Sequence, residues 1–187
     1  RNYGLRGLDL SCKGFSKAAA LGGDDLKKTL ARTQKKDVEL LYWTGMSWIA
    51  AVNLGKNDPA LMADLGSAEL LVFRAFDLDP DFDMGAIHGF LVTYQGSMPE
   101  AMGGSEKKAR EHFKKVVEMT EGLSASPYLA LAEAVAVKNQ NKKEFEELLN
   151  QALAIDVDKK PEWRLQNLIY QQRAKWLLTR EEELFAE

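Results

Sequence analysis

The sequence holds one cysteine, Cys12, and two histidines in 187 residues. A single thiol excludes a disulfide framework and a zinc site built on several cysteines. Two histidines leave little for metal chemistry. No apolar run reaches the roughly 18 residues that suggest a membrane span. No charged start followed by an apolar stretch reads as a signal peptide. Cys12 follows Leu8-Asp9-Leu10-Ser11, without the longer apolar run of a lipid-attachment site, so it reads as structural. Charge of one sign is also missing. With 28 acids against 25 bases the net charge is −3, so neither nucleic acid nor an anionic membrane surface is invited. The five prolines all fall between stretches of helical periodicity. Runs alternating apolar and polar residues with β-branched enrichment are absent, which argues against strands.

What is present is helical. At 45% hydrophobic and 28% charged residues the balance is that of an ordinary globular chain, long enough for one domain with a real core. Val38, Leu41, Tyr42, Gly45, Trp48, Ile49 and Val52 keep the three-and-four spacing of a buried helix face. So do Ala68, Leu71, Val72, Ala75 and Phe76, then Ala109, Phe113, Val116 and Val117, and then Phe145, Leu148, Leu149, Ala152 and Leu153. Leu165, Leu168, Ile169, Trp176 and Leu177 form a last stripe expected to face the core. Asp24, Ser105 and Ser126 stand where N-caps belong. About eight helices are expected.

The stripes repeat. Arg74-Ala75-Phe76-Asp77-Leu78-Asp79-Pro80 has the ending of a tetratricopeptide unit, and Gln151-Ala152-Leu153-Ala154-Ile155-Asp156 has it again, with Val157 in place of proline. Gly45 and Ala68 fit the two helices of a first unit. Gly85 and His88, then Ala109, fit a second unit, and Tyr128 to Asp156 a third. The first two units carry an insertion between their helices. The expected architecture is an all-α antiparallel array of tetratricopeptide-like helix hairpins with inserted loops, in one domain over 1–187. N-terminal helices would occupy 1–37, repeat-like units 38–82, 83–122 and 126–157, and a long C-terminal helix 161–185.

Several segments together resemble the T-component associated with tripartite ATP-independent periplasmic (TRAP) transporters. They are Glu39 to Trp48, Leu78-Asp79-Pro80-Asp81-Phe82, Gly85 to Phe90, Pro99 to Gly104, Arg164-Leu165-Gln166-Asn167 and Arg173 to Leu178. The resemblance implies an exported lipoprotein of helical-repeat fold, held at a bacterial membrane in the periplasm by an anchor upstream of Arg1. It also implies a non-catalytic role beside the periplasmic solute-binding protein, and a homo-oligomer, with a trimer as one form.

The residues themselves offer no enzyme signature and no cofactor site. His-Glu-x-x-His and Gly-x-Ser-x-Gly are absent. Asp79, Asp81 and Asp83 alternate like the start of a calcium loop, but Met84 and Phe90 stand where that loop needs glycine and glutamate. The basic stretch Lys107, Lys108, Arg110, Lys114 and Lys115 is interleaved with glutamates and reads as a solvated, ion-paired face. His88 reads either as an interhelix histidine or as a polar contact in a cavity.

In a tetratricopeptide unit the leading helix lines the concave surface. Those positions are Tyr42, Met46 and Ile49, then Phe82, Ala86 and Phe90, then Ala130, Ala134, Val137 and Lys138. Clamps for peptide carboxylates place cations and Asn there; this surface is nearly all apolar and must be covered. Tyr42, Met46, Ile49, Phe82 and Phe90 are therefore expected to line one apolar space, with Trp48 and His88 near its wall. Arg164 and Asn167, one turn apart, would orient an apolar ligand or organic acid. The competing reading is a scaffold whose groove is filled by its own chain, with Arg164 merely paired to Asp156 or Asp158.

Overall fold

The computed structural model describes residues 1–55 and 57–185, and all regular structure among them is helical. The chain divides into two compact units, Arg1–Phe82 and Asp83–Glu187.

The first unit holds α1 (Asn2–Ser11), α2 (Phe15–Leu21), α3 (Gly23–Leu30), α4 (Val38–Leu54), α5 (Pro59–Ala63) and α6 (Leu65–Leu78). The seven spaced residues of α4 from Val38 to Val52 are all buried, as are Ala68, Leu71, Val72 and Ala75 of α6. These faces meet closely because Gly45 has no side chain. A Cβ there would lie 2.6 Å from Val72 and 3.0 Å from the Ala68 carbonyl oxygen. The α4–α6 pair is flanked by α1 against α4 and by α3 against α6. Leu8, Phe15, Leu26, Leu41 and Leu71 are sealed from solvent, each worth about 1.5–3 kcal/mol of burial. Cys12 is buried too, its thiol directed at the Thr29 carbonyl at 3.6 Å.

The second unit holds nearly all of α7 (Phe82–Ser97), then α8 (Glu106–Met119), α9 (Ser126–Leu131), α10 (Lys142–Leu153), α11 (Arg164–Leu178) and α12 (Glu181–Leu184). Asp83, Met84 and Gly85 open α7 in the left-handed region, with φ of 48°, 53° and 85°. Regular helix starts only after them. Gly85 is thus not the leading-helix glycine expected from the repeat template. It serves a reversed turn that L side chains resist, pressed to 3.2 Å from Met119 Sδ at its would-be Cβ. Beyond α9 the chain runs into a π-helical turn, Ala132–Ala136. Phe145, Leu149, Leu129, Leu131 and Val135 form the core with Ala152 and Ala174.

The helix starts differ in part from expectation. Ser105 caps α8, accepting from the Lys108 amide at 3.3 Å. Asp24 lies inside the first turn of α3, where a carboxylate suits the dipole, and Gly22 takes the cap. Ser126 is the first residue of α9 and Ala125 precedes it. The side-chain caps of α5 and α10 are Asp58 and Asn141. Twelve α-helical segments form among the described residues rather than about eight. Segments of four or five residues, such as α5 and α12, are too short to show a period.

Candidate functional site

In the first unit the aromatic residues of α4 gather at one place. Tyr42 is buried. Its ring meets Trp43 edge-on at 5.0 Å and Phe82 at 5.6 Å between centroids. Met46, one turn on, and Phe82 are half-buried, and Ile49 is buried. Trp48 leaves this group. Its indole Nε1 donates to Asp64 Oδ2 at 3.1 Å, and the Arg1 guanidinium covers its ring at 4.9 Å.

In the second unit His88 faces the chain's other histidine. His88 Nδ1 and His112 Nδ1 are 2.7 Å apart, with ring centroids at 4.9 Å. One ring must donate and the other accept. Burial, followed by the charge of His88, holds His112 below the ordinary imidazole range. Phe90 stacks on Tyr94 at 5.5 Å instead. The third set of concave positions is taken up by the chain itself. Ala134 lies against Gly96, and the Lys138 ammonium donates to the carbonyls of Gly96 and Met98 at 3.0 and 3.1 Å. Arg110 spans two helices, donating to Glu106 and, with both terminal nitrogens, to Glu144. The Glu144 hydrogen bonds raise its already high pKa further. Among the described residues no group of three or more His, Cys, Asp or Glu could hold a metal ion.

Arg164 and Asn167 part company. Asn167 is buried to 1% exposure. Its Oδ1 accepts from the Ala125 amide at 2.9 Å and its Nδ2 donates to the Leu123 carbonyl at 2.8 Å. Gln171, one turn further, donates to the Ala152 and Leu153 carbonyls at the end of α10 and to the Ile155 carbonyl just beyond it. The two amides stitch α11 to the loops beneath it. Arg164 is exposed and pairs with Asp158 at 2.7 Å, the pairing that competed with a ligand-orienting role. Arg164 and Asn167 therefore do not form the joint anchor for an acid that their spacing suggests, because the amide is spent on the backbone and the exposed guanidinium is held by Asp158.

Of the last apolar stripe, Leu177 alone turns inward. Leu165, Leu168, Ile169 and Trp176 are 73%, 39%, 60% and 50% exposed, while Asn167, Ala174 and Leu177 form the buried side of α11. The helix carries two apolar faces, and three-and-four spacing cannot say which turns inward. A shallow surface groove lies between Ile169, Gln172, Arg173 and Trp176.

A family model described as the TRAP transporter T-component matches residues 1–185. An uncharacterized protein of Treponema pallidum (strain Nichols) is 30% identical over 184 residues. That match takes in 98% of this chain and 57% of the relative, so the chain spans little more than half of that protein's length. With the segments from Glu39 to Leu178 and the helices before them inside one match, the chain belongs to the TRAP transporter T-component family.

Proposed function

We propose that the protein is a non-enzymatic adaptor of a TRAP-type uptake system, docking the periplasmic solute-binding protein. The observation that carries this reading is the family match along residues 1–185. In this reading the protein works in the periplasm, tethered to a bacterial membrane through a lipid anchor, and as a homo-oligomer for which a trimer is the first form to test. Its helix pairs are tetratricopeptide-like hairpins, α4 with α6 and α9 with α10. The Gly45–Ala68 approach supports the first of these pairs. No described helix is long and apolar enough to cross a membrane. The direct experiment mixes purified protein with the purified solute-binding component of the same system and follows complex formation by calorimetry.

An apolar ligand, or an acid with an apolar chain, is assigned to Tyr42, Met46, Ile49 and Phe82 of the first unit, with Trp48 of the same helix as a further candidate. Titration with a medium-chain fatty acid, read by tryptophan fluorescence, should saturate and weaken in Tyr42→Ala. A second reading, a scaffold with its groove filled internally, is favoured by the closure of Ala134 and Lys138 on α7. No saturation with the fatty acid, alongside retained protein binding, would select it.

A further inference from the structure

We propose that His88 and His112 form a two-coordinate site for copper(I), a soft monovalent cation that accepts two nitrogen donors in line. The site lies between α7 and α8 and is independent of the adaptor reading.

The chain has two histidines, and they meet. His88 stands one turn past Gly85 on α7, and His112 stands midway along α8. The close approach of Gly85 to Val116 and Met119 holds these helices together. The facing atoms are Nδ1 of both rings, 2.7 Å apart, while the ring centroids are 4.9 Å apart. The difference of 2.2 Å is nearly the full distance from centre to nitrogen in two imidazole rings. The rings therefore meet end to end, and each Nδ1 points along the line to the other. One nitrogen carries the proton of a hydrogen bond and the other gives its lone pair. When the donor ring carries its proton on Nε2 instead, two lone pairs aim at one point and both imidazoles stay neutral.

Donor number and direction select the cation. Calcium and magnesium take oxygen ligands. Zinc takes four donors at tetrahedral angles, and among the described residues no group of three or more His, Cys, Asp or Glu could supply them. Copper(II) asks for a tetragonal set. Copper(I), with its filled d shell, is satisfied by two nitrogens on opposite sides, and imidazole suits copper. A metal–imidazole bond is about 2 Å long, so two in line need the nitrogens about 4 Å apart. The rings must part by roughly 1 Å along the axis they already share, without changing direction. His88 is 8% exposed and His112 half-buried. His112 is therefore the ring that yields, and its side is the one from which the cation enters.

The test uses the full chain, free of metal, under nitrogen with ascorbate to keep copper reduced. Copper(I) is titrated in competition with a chromophoric chelator. The parent should withdraw one equivalent, and nitrogen NMR of its histidines should show both Nδ1 resonances shifting together. His88→Gln and His112→Gln should withdraw none. Glutamine at 112 can still hydrogen-bond to His88, so that variant should melt close to the parent and separates loss of the site from loss of the fold. Cys12→Ala should bind copper like the parent, and excess zinc should not displace it. No copper withdrawn by the parent would overturn the site. So would binding kept by both histidine variants, binding lost in Cys12→Ala, which would make the thiol the ligand, or displacement by zinc.

Discussion

At the scale of residues, the two histidines set a pH limit. Only one proton fits between Nδ1 atoms 2.7 Å apart. His112 is held below its ordinary value first by burial and then by His88. A histidine depressed in the folded state leaves stability whole above its unfolded pKa of about 6.5 and removes it as pH falls toward the folded value. The melting temperature should therefore drop between pH 7 and pH 5, and His112→Gln should flatten that drop. Parallel melting-versus-pH curves for parent and variant would refute the assignment. Asn167 and Arg164 make a second contrast. Asn167→Ala strands a buried amide and a buried carbonyl and should cost about 2–4 kcal/mol. Arg164→Ala removes one exposed ion pair and should cost no more than about 1 kcal/mol. Denaturant unfolding reads both, and a larger loss in the arginine variant would reverse their roles.

At the scale of elements, the contact of α4 with α6 depends on an absent side chain. In Gly45→Ala the new methyl would stand 2.6 Å from Val72 and 3.0 Å from a backbone oxygen. The oxygen cannot swing away, so α4 and α6 must separate, at a cost of about 1–3 kcal/mol. Ala75→Leu should act alike, because Ala75 is sealed in the same unit. A melting curve unchanged by both would contradict the packing described for α4 and α6. Arg110→Met should cost about 1–2 kcal/mol by unlinking Glu144 on α10 from α8. Such elements were legible in the sequence where burial is one-sided. The periods of α4, α6, α8 and α10 pointed to helices, and all seven spaced residues of α4 are buried. α11 was legible as a helix but not in its orientation. Its inward face is held by Asn167 and Gln171, whose bonds to distant backbone groups leave no mark on local spacing. The start of α7 was misread for a related reason. A glycine in a left-handed turn and a glycine in a helix contact look the same as letters, and only the φ of 85° at Gly85 separates them.

At the scale of the whole molecule, composition excluded more than it revealed. One cysteine, two histidines and balanced charge left few sites for chemistry. The family resemblance was legible only through the joint segments from Glu39 to Leu178, and the family match over residues 1–185 bears it out. The aromatic space was partly legible. Tyr42 and Phe82 do meet, whereas Trp48 turns to Asp64 on a later segment and Phe90 to Tyr94 one turn along its own helix. The role of the molecule stands or falls with its partner. Isothermal titration of the purified chain with the purified solute-binding component of its transport system should give saturable heat with a Kd of about 10 µM or tighter. No heat and no co-elution with both proteins at about 100 µM, a concentration at which such a complex would be mostly formed, would contradict the adaptor role.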